Sequence, residues 1–127
     1  MTQAFGFLGA VFGFLGVGLG AFGAHALQAR LSPDDLAVFE TGVRYQMYHA
    51  LALLLLAALQ LRTGGAGGTL AGWAFVVGIL LFSGSLYLLV LTGQRSLGAV
   101  TPFGGVAFLV GWASLAWWFL QNRGGVS

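Results

Sequence analysis

The sequence predicts an all-α integral membrane protein, a four-transmembrane-helix bundle with short loops and an interfacial start to the second helix. Two numbers and one pattern predict it. Of 127 residues, 58% are hydrophobic and only 6% charged, whereas soluble domains carry roughly a quarter charged residues. Mean hydropathy is +0.92, which also excludes an intrinsically disordered chain. The apolar residues fall into four long stretches, giving one domain over 1–127 with spans at about 4–25, 34–61, 69–92 and 102–121.

Each span has its own punctuation. Residues 4–24 contain no polar side chain, and such a run makes about 31 Å of helix, matching a hydrocarbon core of roughly 30 Å. Ala24-His25-Ala26 has the look of a small-x-small cleavage site. Met1-Thr2-Gln3 lacks the charged start of a secretory signal, so a retained span is expected. Ser32-Pro33-Asp34-Asp35 opens the second helix with an N-cap, a first-position proline and acids that suit the helix dipole. That helix mixes charge and apolar groups up to Arg44, then runs greasy from Ala50 to Leu59. Gly64 to Gly68 form a flexible turn, and Thr101-Pro102 repeat the cap-and-proline device before the fourth span. Trp73 and Trp117-Trp118 suit an interfacial belt, while Trp112 falls mid-span as a packing or lipid contact. The arginines divide almost evenly between the two sides, so the positive-inside rule leaves orientation open.

Glycine spacing in the first span carries the packing expectation. Gly6, Gly9, Gly13, Gly16, Gly20 and Gly23 recur at steps of 3 and 4, a heptad seam. Helices in lipid associate through close approach, which small residues permit. Phe5, Phe7, Leu8 and Phe12 are assigned to the opposite faces. Fainter small-residue stripes run through Ala71, Ala74, Gly78, Leu81 and Ser85, and through Gly104, Ala107, Gly111 and Ser114. The first span is therefore expected at the centre, with those two faces turned towards it. A leucine at Gly13 or Gly16 should wedge the helices apart. The competing reading makes the seam a homo-oligomer interface.

The candidate polar site is His25, Glu40, Arg44, Tyr45, Gln46, Tyr48, His49, Ser83, Ser85 and Tyr87. Glu40, Arg44 and Tyr48 follow one another at helical i,i+4 spacing, the favourable order for a Glu–Arg pair. Charged groups at membrane depth normally pair and face inward, and His49 lies well inside the expected boundary. The cluster reads either as a proton or ion path or as a network that anchors helix depth. A serine nucleophile would need a base and an orienting acid, and Ser83-Gly84-Ser85 signals that weakly. No catalytic residue, cofactor or metal site is assigned. Cysteine is absent, which removes thiolate and disulfide chemistry. No basic cluster exists to follow a phosphate backbone, so nucleic acid is not an expected partner.

Several strings carry a family resemblance. Gly20-Ala21-Phe22-Gly23-Ala24-His25-Ala26-Leu27, Arg44-Tyr45-Gln46-Met47-Tyr48-His49-Ala50-Leu51, Phe82-Ser83-Gly84-Ser85-Leu86-Tyr87 and Thr101-Pro102-Phe103-Gly104-Gly105, with Gly111-Trp112, occur in that order. The chain resembles the domain-of-unknown-function 423 family, also called uncharacterised protein family 0382, to which the animal transmembrane protein 256 is similar. The resemblance implies a small, multi-pass bacterial inner-membrane protein with four helices, and supplies no activity. It also implies that the polar residues in these strings meet in one place.

The expected function is that of a structural or accessory membrane component, in contact with lipids and with a homo-oligomer or larger complex. Two alternatives stand beside it. One is a small oligomeric channel or transporter using the polar cluster, which requires a water-accessible route to His49. The other is an intramembrane enzyme on a lipid-like substrate, which requires Ser83 or Ser85 within hydrogen-bond reach of His49.

Overall fold

The computed structural model describes residues 2–64 and 67–121. Among these, four helices are long and apolar enough to cross a membrane: Thr2–Leu27, Pro33–Arg62, Thr69–Thr92 and Arg95–Gln121. The first consists of α1 (Thr2–Phe22) and a closing π-helical turn, Gly23–Leu27. The second is α2 (Pro33–Arg62). The third divides into α3 (Thr69–Gly78), a π turn at Ile79–Ser83, and α4 (Gly84–Thr92). A short 3₁₀ turn, Arg95–Ala99, leads into α5 (Thr101–Gln121).

Helix ends follow the local chemistry of the sequence. The Ser32 hydroxyl accepts from the Asp35 amide at 3.1 Å and Pro33 begins α2. Asp35 also takes a two-pronged ion pair from Arg95, at 3.0 and 3.1 Å, tying the start of α2 to the loop before α5. Gly93 ends α4 in the left-handed region at φ 74°, its amide returning to Leu89, where a side chain would be strained. Thr101 differs from the expectation. Its hydroxyl meets Ser85 rather than capping α5. In the Gly64–Gly68 turn, Gly65 and Ala66 lie outside the described residues, as do Asn122 and Arg123 beyond α5.

Neighbouring spans run antiparallel, as the contacts at each end show. Thr2 bonds Gln60 while Gly23 lies on Phe39, so α1 and α2 oppose each other. Gly68 meets Leu56 and Gly42 meets Tyr87, opposing α2 to α3 and α4. Gly78 meets Phe108 and Gly104 meets Phe82, opposing the third span to α5.

The structure corrects the expected centre. The second span holds that place: α1 lies along α2, and α2 in turn packs on α3 and α4. The small faces of the third and fourth spans meet each other rather than the first span. The physical reason is that a glycine stripe has to be filled, and aromatic rings fill it better than a second row of small residues. Phe108 occupies the space at Gly78, and Phe75 the space at Gly111, where an added Cβ would stand 2.6 Å from the ring. Phe5, assigned above to an outer face, is fully buried against Gly72. Phe39 fills Gly23 and Tyr87 fills Gly42 in the same way.

The glycine seam of α1 faces α2 unevenly. Gly9 abuts the Ala50 carbonyl and Leu53, Gly16 abuts Met47, and Gly23 abuts Phe39. Gly6 and Gly20 make looser contacts with Ala57 and Val43. Gly13 meets nothing, because it opens onto a groove of about 500 Å³ shared with Phe14, Met47 and Leu51. The wedge expected at Gly13 therefore does not apply. At Gly16 the obstacle is the mobile thioether of Met47.

Gly78→Ala is expected to lower stability by about 1–3 kcal/mol, the usual penalty of overpacking, read as a fall in melting temperature in detergent. Gly13→Ala, facing open space, should be neutral or gain up to about 1 kcal/mol from better helix propensity. Equal losses at both positions would contradict the socket assignment.

Candidate functional site

The polar residues are organised by α2. Phe39, Gly42, Gln46, His49, Leu53, Leu56 and Gln60 are all buried and recur at alternating steps of 3 and 4. This stripe faces the other three spans, and between them its three polar members reach α1, α4 and α5.

His49 is held on both ring nitrogens. Nδ1 lies 2.7 Å from the Tyr45 carbonyl, and the Trp112 indole N–H donates to Nε2 at 2.9 Å. A carbonyl only accepts and an indole only donates, so the imidazole is the neutral Nδ1–H tautomer. Its ring stacks on Phe108 at 3.6 Å between centroids, with Phe75 and Trp112 against its edge and flank. The residue as a whole is 4% exposed. Bonded on both nitrogens and walled by rings, it has no free lone pair for a proton in transit or a metal.

Gln46 joins three helices. Its amide donates to the Phe12 carbonyl of α1 at 2.8 Å, and its oxygen accepts from the Tyr87 hydroxyl of α4 at 2.6 Å. Ser83, at the end of the π turn, donates to the Gly42 carbonyl at 2.7 Å. The π turn adds a residue to the helix, with the Gly84 amide returning to Ile79 five residues back, and so re-aims the residues that follow. Ser85 shares a 2.6 Å contact with Thr101 and donates to Phe82 O at 3.0 Å. Gln60 is wholly buried, bonded to Thr2 at 3.2 Å and to the Gly67 carbonyl at 2.8 Å.

Of the sequence-derived cluster, Gln46, Tyr87 and Ser83 thus gather on one side of α2. His49 and Tyr45 gather on another, with Tyr45 stacked 4.7 Å from Phe82. Tyr48 lies beside Tyr45, 5.8 Å between centroids. Ser85 turns to α5. His25, Glu40 and Arg44 are exposed, apart from both groups. The Glu40–Arg44 pair expected from spacing is not formed. Among the described residues the ion pair is Arg95–Asp35, and no three His, Asp or Glu side chains cluster as metal ligands.

Sequence reasoning missed Trp112 as the partner of His49, and Gln60 altogether. The heptad through Gln46, Leu53 and Gln60 was the available signal for the latter. Beside the His49–Trp112 bond lies a cleft of about 560 Å³ between α2 and α5, lined by Tyr45, Tyr48, Leu51, Phe82, Leu109 and Trp112. Its chemistry is apolar and aromatic, with hydroxyls at one end. Neither Ser83 nor Ser85 is paired with His49: Ser83 bonds to the Gly42 carbonyl, Ser85 to Phe82 and Thr101, and His49 to Tyr45 and Trp112.

Trp112→Phe is expected to leave Nε2 of His49 without its donor and to lower stability by about 1–3 kcal/mol, the range for a stranded buried group. Nitrogen NMR of histidine-labelled protein in micelles, with His25→Asn leaving one signal, should show His49 as the Nδ1–H tautomer. An Nε2–H signal would contradict the assigned bonds.

Known proteins place this arrangement in a family. The family model described as protein of unknown function DUF423 matches residues 19–105. A UPF0382 membrane protein of Bacillus subtilis is 51% identical over 87% of this chain and 90% of its own length. UPF0382 membrane proteins of Staphylococcus aureus and Staphylococcus haemolyticus are 49% and 46% identical, each over 85% of this chain and 88% of the relative. No solved structure matches. The matched residues include the Gly23 socket, the whole of α2 and the Ser83–Tyr87 segment, and the chain belongs to the DUF423 family of UPF0382 membrane proteins, whose activity is not established.

Proposed function

We propose that the chain is a non-catalytic accessory component of the bacterial inner membrane, crossing it four times and working through the surfaces that it presents to lipids and to a larger membrane assembly. One observation carries the reading. Among the described residues, every buried side-chain nitrogen and oxygen has a hydrogen-bond partner, and the partners lie within the chain itself. Thr2–Gln60, Gln46–Tyr87, Ser83–Gly42, Ser85–Thr101 and Trp112–His49 each join two spans. Such bonds fix helix register and depth, and they commit the buried polar groups to holding neighbouring spans together. Helical spans support the inner-membrane part of this reading, since outer-membrane proteins are typically closed barrels.

Reconstitution into liposomes tests this reading. Vesicles loaded with a pH-sensitive dye and given an imposed pH step are expected to equilibrate no faster than protein-free vesicles. Proton flux that His49→Ala abolishes would overturn it.

A further inference from the structure

We propose that the cleft between α2 and α5 seats one zwitterionic aminophospholipid, its phosphate at Arg44, its ammonium at Glu40 and an acyl chain over Leu51 and Leu109. This deepens the accessory reading by naming the class of lipid that the surface holds.

Depth comes first. Arg44 stands eighteen positions before Arg62 on one continuous helix, about 27 Å at 1.5 Å per residue, against a hydrocarbon core of roughly 30 Å. The two arginines bracket the apolar stretch of α2, and Arg44, level with Gly20 on the first span, extends its long side chain outward to the headgroups. Glu40 lies one turn farther out towards water on the same face, and Tyr48 one turn farther in. Charge comes second. Glu40 and Arg44 are exposed and, among the described residues, have no ion-pair or hydrogen-bond partner. Their vertical order, anion outside and cation inside, is the complement of a zwitterionic headgroup, whose phosphate adjoins the glycerol and whose ammonium reaches outward. An anionic headgroup would bring net negative charge against Glu40.

Shape comes third. Tyr45 and Tyr48 carry hydroxyls with no partner among the described residues, and helical side chains lean towards the N-terminus, which aims both back towards the lipid esters. Below them the cleft of about 560 Å³ is walled by Leu51, Phe82 and Leu109. Gly105 leaves its floor open, since a Cβ there would meet nothing. At the deep end both nitrogens of His49 are already bonded, so that end offers an acyl chain no competing polar group.

The test weighs the full-length protein intact by native mass spectrometry after incubation in mild detergent with equimolar phosphatidylethanolamine, phosphatidylglycerol and phosphatidylcholine. One phosphatidylethanolamine per chain is expected, preferred over both other lipids by roughly threefold, the scale of an exposed ion pair. Phosphatidylcholine ranks lower because its ammonium has no hydrogen to donate to Glu40. Arg44→Gln should lower retention by a similar factor, and Glu40→Gln should erase the preference over phosphatidylglycerol. Both side chains are exposed and unpartnered, so melting temperatures should not change, and Phe14→Ala on the far helix should retain lipid normally. Equal retention of the three lipids, undiminished retention by Arg44→Gln, or a lipid-free dimer whose second copy fills the cleft would each overturn the proposal. Proton flux in the liposome measurement would remove the accessory reading and leave the lipid masses as they are.

Discussion

The bundle depends on one contact type, an aromatic ring seated over a glycine on the neighbouring helix. Lipid tails are as apolar as leucine, so burial gives helices in a membrane no reason to associate, and packing has to supply it. Phe5 on Gly72, Phe39 on Gly23, Tyr87 on Gly42, Phe108 on Gly78 and Phe75 on Gly111 supply it between the first and second spans, the first and third, the second and third, and the third and fourth. A ring in a socket gives many dispersion contacts at once, and it fixes both register and separation. The reciprocal pair between α3 and α5, with each helix lending a ring to the other's glycine, leaves those two helices no freedom to slide.

Hydrogen bonds refine what the sockets set. The polar stripe of α2 is interleaved with its socket and leucine positions, so Gln46, His49 and Gln60 are delivered to neighbours already held at close range. The π turn in the third span sits where Ser83 reaches the Gly42 carbonyl, next to the Tyr87 socket. Interhelical bonds of this kind contribute about 0.6 kcal/mol each on average. Their larger effect is negative. A slipped register would strand several buried polar groups together, at about 1–3 kcal/mol apiece.

Much of this was legible in the sequence, and the limits have physical causes. Uninterrupted apolar runs gave the spans, because a bilayer accepts little else at that length. Ser32-Pro33-Asp34-Asp35 gave the start of α2, because capping is local. The glycine stripe located where helices come close and misjudged what comes close. Spacing marks an empty face, whereas the ring that fills it arrives from a distant part of the chain. Phe5 looked outward on its own helix and is buried by Gly72, 67 positions away. Trp112 read as either a packing or a lipid contact, and its hydrogen bond to His49 was hidden for the same reason, the partner lying on α2. Glu40 and Arg44 had the spacing of a pair, yet exposed ion pairs are weak, and no salt bridge joins the two. The motif strings identified the family and said nothing of which residues would touch: Ser85 and Tyr87 share one string and serve different helices.

The most direct test of the socket account is a double-mutant cycle on Phe5 and Gly72, measured as unfolding free energy in detergent. Gly72→Ala and Phe5→Leu should each destabilise, the first by crowding the ring and the second by emptying the socket. Together they should recover about 1 kcal/mol or more relative to the sum of the single losses, as contacting residues do. Strict additivity would mean that the ring and the glycine do not depend on each other, and the account of the bundle would fail with it.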